Sequence, residues 1–251
     1  FLHRYLKDVP FDLCHAFFGF PTGVLPYWFQ KKVPYIISVR GSDVPGYNKR
    51  FLLDYIGLKP LLKRVYRDAR CVVANSQGLK QLYESQFPGL TARIIPNGID
   101  TTLFSPAPNK QPSAFRIVTV SRLIPRKGID LLLSACRKIH ENGFLFHCLI
   151  VGEGPEEGRL KAMAKEFGIE NQVQFYGRKE KLQIATLLPQ CDLFVLPSYA
   201  EGMSNAALEA MSCGLPLLLT ETGGSQELIN GNGLVVPPGD AEALGEKLLF
   251  L

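Results

Sequence analysis

No apolar stretch of this sequence approaches the roughly 20 residues that a helix needs to cross a bilayer, and no segment has the character of a secretory leader. The six cysteines, Cys14, Cys71, Cys136, Cys148, Cys191 and Cys213, stand far apart. Neither a Cys-x-x-Cys metal knuckle nor a compact disulfide framework is therefore expected, and a reducing cytoplasm is the simplest location. Asp-x-Asp is absent, as is any His and carboxylate cluster with ligand spacing, so no metal site is expected. Solenoid repeats, low-complexity tracts and an aromatic-rich basic stripe are also missing. The last of these argues against nucleic acid as a partner.

What remains is ordinary globular material: 251 residues, 46% hydrophobic and 20% charged, enough for two domains. Short apolar runs alternate with helical patterns, which predicts parallel sheets covered on both faces. Strands are expected at residues 11–16, 35–39, 71–74 and 93–95, then at 115–120, 145–151, 173–176, 193–196, 216–219 and 234–236. Between the two series, residues 104–113 are rich in Pro and polar residues and resemble an interdomain linker. The expected domains are 1–106 and 107–251. The second is a complete Rossmann-type set and the first is short.

Charge is uneven: residues 1–100 carry a net +7 and the remainder −2. Within residues 58–70 the apolar side chains recur at helical spacing, leaving Lys59, Lys63, Arg64, Arg67 and Arg70 on the other side. That face is either a solvated surface or a contact for anionic lipid headgroups.

Three loops fall at the carboxyl ends of strands in the second series, where open α/β sheets bind ligands. In Val120-Ser-Arg122-Leu-Ile-Pro-Arg-Lys127-Gly128, two cations could grip a diphosphate. Val151-Gly-Glu-Gly154 resembles a dinucleotide loop but lacks the third glycine, and Glu156 and Glu157 open its helix, so it is read as structural. The third is Glu201-Gly-Met-Ser-Asn-Ala-Ala-Leu-Glu209. Ser204 is placed to cap a helix that ends at Gly214, and its first turn carries no acid, leaving its free N–H groups open to an anion.

Taken together, Val39-Arg-Gly-Ser-Asp43, Ile95-Pro-Asn-Gly-Ile-Asp100, Ser121-Arg122 with Lys127-Gly128, Val151-Gly-Glu-Gly-Pro155, Phe175-Tyr-Gly-Arg178, the Glu201 and Glu209 pair, and Gly223-Gly-Ser-Gln-Glu227 resemble the GT4-type retaining glycosyltransferases. The resemblance covers most of the chain. It implies an α/β GT-B fold, two facing Rossmann-like domains with parallel sheets, the amino-terminal one incomplete. It also implies transfer of a hexosyl group from a UDP- or GDP-linked sugar to a glycan or lipid-linked acceptor, with retention, no metal and no further cofactor. Glu201 is then expected to hold hydroxyls of the sugar, and Glu209 those of the ribose. Arg122 and Lys127 would take the diphosphate, with backbone groups of Gly202, Met203, Ser204 and Asn205 beside them. Gly177 and Arg178 would line the base pocket.

The same resemblance offers His15, Arg40 and Asn97 as acceptor or cleft residues, each against a structural alternative: His15 as a packed histidine, Arg40 as a surface residue after a strand, and Asn97 with Gly98 as the turn before the hinge. Many relatives have a histidine where this chain has Arg40, and Phe-Gly where it has Met203-Ser204. Relatives also carry further strands before the first domain and a terminal helix after the second, so the sequence is expected to be a partial chain. Its expected location is cytoplasmic, either free or, through the basic face of residues 58–70, peripheral on the cytoplasmic membrane face. Two other readings remain open: a short form that binds a sugar nucleotide or a protein partner without catalysis, and a nicotinamide-dependent oxidoreductase, which the broken glycine fingerprint opposes.

Overall fold

A computed structural model describes residues 11–29, 33–47, 52–107 and 114–250. The chain divides into two compact units, Phe1–Asn97 and Gly98–Leu251.

In the first unit, strands β1 (Cys14–Phe17), β2 (Tyr35–Ser38), β3 (Cys71–Ala74) and β4 (Arg93–Ile94) form a parallel sheet in the order β1-β2-β3-β4. Helices α1 (Val24–Phe29), α2 (Leu52–Arg67) and α3 (Gln77–Gln86) connect them. Tyr35, Ile37, Leu62, Val65, Tyr66, Tyr83 and Phe87 make the core. The sequence placed the first strand at residues 11–16, but Phe11 and Leu13 are exposed and pairing begins at Cys14. Apolar identity alone did not fix that end.

Helix α2 starts earlier and stops sooner than its amphipathic pattern indicated. Leu62, Val65 and Tyr66 face inward, while Lys59, Lys63, Arg64 and Arg67 are exposed. Arg70 lies beyond the helix end, where its N–H donates to the Tyr35 carbonyl at the start of β2. It therefore leaves the basic helix face.

The second unit holds strands β5 (Phe115–Val120), β6 (Phe146–Val151), β7 (Val173–Gly177), β8 (Leu193–Leu196), β9 (Leu217–Thr220) and β10 (Gly233–Val236). All are parallel, in the order β10-β9-β8-β5-β6-β7. Helices α4 (Ile129–Glu141), α5 (Glu157–Glu166), α6 (Lys181–Leu187), α7 (Asn205–Ser212) and α8 (Ala241–Phe250) cover the sheet. Successive strand residues point to opposite faces. Ile117, Cys148, Ile150, Leu193 and Leu218 join one core with Leu132, Cys136, Leu160 and Leu244. Their neighbours Val118, Leu149, Phe194, Leu217 and Leu219 join another with Leu188, Ala207 and Leu208. A sheet buried on both sides explains the continuous apolar strand runs.

Phe104, from the stretch read as a linker, is fully buried in that second core; residues 108–113 of the same stretch lie outside the described residues. The strand order reverses direction between β5 and β8. The connections leaving those two strands therefore diverge, opening a crevice at their carboxyl ends.

Candidate functional site

The crevice is built by the loops after β5, β8 and β9, packed closely enough that two of their positions have no room for a side chain. Gly128 has φ 63°, and a Cβ there would lie 2.1 Å from the Pro197 carbonyl oxygen. At Gly223, φ 42°, it would meet the Glu201 carbonyl at 1.9 Å. The Tyr199 N–H donates to the Arg126 carbonyl at 2.9 Å, and the Arg126 guanidinium donates to the Ala200 carbonyl at 2.7 Å. These bonds bring Lys127 and Glu201 together across the switch point. The Lys127 ammonium donates to Glu201 Oε1, and the Ser198 hydroxyl donates to the same oxygen at 3.0 Å. Glu201 is buried.

Helix α7 begins beside that pair. Ser204 is its N-cap, with the side-chain oxygen accepting from the Ala207 N–H at 3.3 Å, and no acid stands in the first turn. The helix ends at Ser212, followed by Gly214 at φ 81°. Glu209 sits half-buried on α7. Burial pushes its carboxyl above the ordinary value, and the Lys181 ammonium opposes that rise. Lys181 also stands 5.6 Å from the centre of the Phe104 ring. Sequence reasoning missed Lys181. Its signal was the position directly after the Arg178 loop, meaningful only once Phe104 is known to be buried nearby.

Arg122 and Arg178 share a cavity of about 300 Å³ with Ser121, Val151, Gly152 and Glu153. The Glu153 carboxylate lies 3.6 Å from Arg178. Among the described residues Arg122 has no ion pair, whereas Lys127 does. The two cations named for one task are thus held differently. The glycines of the Val151 loop, read from the sequence as structural, pack closely: a Cβ on Gly152 would lie 1.8 Å from the Ser121 carbonyl, and one on Gly154 2.2 Å from that of Leu123. The same loop nevertheless walls the cavity. Gly177, at φ 64°, accepts from the Gly152 N–H through its carbonyl at 2.9 Å.

In the first unit a separate group forms at the carboxyl edge of its sheet. Arg40 Nη1 donates to Asn97 Oδ1 at 2.6 Å, and the guanidinium carbon lies 4.9 Å from the centre of the Phe17 ring. His15 packs on Phe17 with ring centres 4.5 Å apart and shares a 2.8 Å hydrogen bond between Nε2 and Ser38 Oγ. Phe17 thus joins His15 to Arg40, and Arg40 in turn reaches Asn97. Sequence reasoning did not single out Asp43, which is buried and accepts the N–H groups of Arg40 and Gly19, each at 2.8 Å. Burial raises its carboxyl above the ordinary range, and those N–H groups pull it back.

Comparison with known proteins identifies the family and the fold. The family model "Glycosyl transferases group 1" matches residues 100–251, and that of "Glycosyltransferase Family 4" matches residues 1–103. The chain is 38% identical over 144 residues to the amylovoran biosynthesis glycosyltransferase AmsK of Erwinia amylovora, covering 54% of this chain and 35% of that protein. It spans 35 to 39% of the length of the first curated relatives it matches.

Among solved structures, sucrose-phosphate synthase from Thermosynechococcus elongatus superposes with a TM-score of 0.86 at 22% identity, covering 99% of this chain and 66% of that one. Anabaena HepE in complex with UDP gives 0.82 at 23% identity, covering 99% and 70%. These likenesses establish a GT-B fold. The match over residues 100–251 goes further, and the chain belongs to the group 1 glycosyl transferases.

Proposed function

We propose that this chain carries the donor site of a retaining glycosyltransferase, which moves a hexosyl group from a nucleotide diphosphate sugar to a glycan or lipid-linked acceptor. The observation that carries the reading is the Lys127 and Glu201 pair beside the capped start of α7, at the switch point of a parallel sheet. HepE, a fold relative, holds UDP, and AmsK is named as a glycosyltransferase of amylovoran biosynthesis. Both facts support a nucleotide sugar as ligand.

In this reading Glu201 accepts hydrogen bonds from sugar hydroxyls, and Glu209 accepts two from the vicinal hydroxyls of the ribose. Arg122, Lys127 and the backbone N–H groups around Met203, Ser204 and Asn205, after Gly202, receive the diphosphate. Gly177 and Arg178 line the base pocket. When the bond from the anomeric carbon to the diphosphate oxygen breaks, its electron pair stays on that oxygen. Fixed cations and amides stabilise the growing charge without a metal. The acceptor oxygen attacks the same face, and its proton passes to the departing phosphate, which preserves the anomeric configuration. Lys127 then serves two partners, since its ammonium has three donors and Glu201 uses one.

His15, Arg40 and Asn97 are assigned to the acceptor side. The exposed face of Lys59, Lys63, Arg64 and Arg67 is assigned to an anionic membrane surface on the cytoplasmic side, each cation adding up to about 1 kcal/mol. Transfer measured from a panel of nucleotide sugars tests the reading. Activity with one donor that Glu201→Ala abolishes supports it; binding with no transfer from any donor would reduce the chain to a sugar-nucleotide binder.

A further inference from the structure

The geometry points to an anion-binding subsite at Arg40, taking a carboxylate or phosphate group carried by the donor sugar or by the acceptor. Arg40 follows β2 at the carboxyl edge of the first sheet, and its side chain is partly buried. Among the described residues its guanidinium has no carboxylate partner. Its polar contact is the neutral Asn97 oxygen, and its flat face rests on Phe17. A guanidinium has five donors in a planar fork, so one bond to Asn97 leaves enough of the fork to receive two oxygens side by side.

Asp43 is the nearby acid in sequence, yet both of its oxygens are committed to backbone. Oδ1 accepts the Arg40 N–H and Oδ2 the Gly19 N–H. Asp43 is 1% exposed, so it is a positioning residue that fixes the turn carrying Arg40 and does not neutralise the side chain. Phe17 is steadied by His15, which Ser38 holds in turn. The result is a cation with its plane set and its charge unanswered. A partly desolvated cation held only by a neutral oxygen and a ring face has no opposite charge beside it, and an oxyanion with two acceptors in one plane supplies that charge. Residues 1–100, at net +7, also attract anions.

The test titrates the full chain with inorganic phosphate and with glucuronate at low ionic strength, glucose serving as the uncharged control, while the Arg40 Nε–H signal is followed by NMR. Both anions should shift that signal saturably, and glucose should not. Arg40→Gln, whose amide can still donate to Asn97, should weaken both anions at least about tenfold. Arg40→Lys should fall between, since a point charge attracts without the fork. An unmoved Arg40 signal, or anion affinity unchanged in Arg40→Gln, overturns the subsite.

Its two sources rest on the transferase reading and are separated by paired ligands: a nucleotide hexuronate against the matching nucleotide hexose, and an isoprenyl phosphate against the isoprenol. The pair whose charged member loses about tenfold preference in Arg40→Gln identifies the source. Preference unchanged in both pairs also overturns the proposal. Failure of the transferase reading looks different, because both nucleotide sugars then go unbound while the phosphate titration still shifts Arg40.

Discussion

Lys127 and Glu201, 74 residues apart in the chain, form an ion pair with side chains 13% and 10% exposed. They stand on the loops after β5 and β8, the two strands at which the second sheet reverses its order. Each therefore neutralises the other, and the lysine keeps two N–H donors beyond the one that Glu201 takes.

Removing either partner should leave a largely buried charge unanswered. Lys127→Met and Glu201→Gln are each expected to lower unfolding free energy by up to about 3 kcal/mol. The double variant should lose clearly less than the two single losses combined, because no unpaired charge remains. Urea unfolding of the four proteins measures this, and strictly additive losses would show that the pair is not coupled.

Loop packing makes a second prediction at two glycines six residues apart, Gly152 and Gly158. Gly152 has φ 141° and its Cβ would strike the Ser121 carbonyl, so Gly152→Ala should cost more than about 1 kcal/mol. Gly158, in the first turn of α5, has open space around it, and Gly158→Ala should instead stabilise by about 0.5–1 kcal/mol. Thermal melts of both variants separate the cases; equal effects would mean that the close approach of the two loops does not matter.

Glu209 supplies a pH dependence. Burial holds its carboxyl above the ordinary value of 4.5. The unfolded chain therefore loses this proton more readily than the folded one, and stability declines as pH rises above 4.5 through the raised value. Glu209→Gln should melt higher than the wild type at pH 7, with the difference vanishing below pH 4.5, where both states carry the proton. A gain that persists unchanged in acid would contradict a charge origin.

Much of this was legible in the sequence, because strands buried on both faces leave continuous apolar runs. Leu193–Leu196 and Phe115–Val120 stood at their observed bounds, and Ser204 and Gly214 marked both ends of α7. Residues whose burial depends on distant packing were not legible. Phe104 looked like part of a linker among Pro and polar neighbours, yet it fills a core between elements far along the chain. Phe11 and Leu13 looked like strand residues, yet both stand exposed before the first paired residue, Cys14. The individual charges of Lys127 and Glu201 were legible, whereas their contact, made across the switch point, was not. Asp43 was quoted only as the end of a motif, and its role was not legible for a similar reason: it comes from the backbone N–H groups that the turn after β2 and the loop at Gly19 aim at it.

The most direct test of the account is calorimetric titration of the chain and of Arg122→Ala with UDP, GDP and NAD. Arg122 lines the cavity and has no ion pair among the described residues, so its loss should not unpair another charge. The account predicts saturable binding of one nucleoside diphosphate, none of NAD, and at least about tenfold weaker binding in the variant, a loss of about 1.4 kcal/mol. Binding of neither nucleoside diphosphate, or the same affinity with and without Arg122, would contradict it.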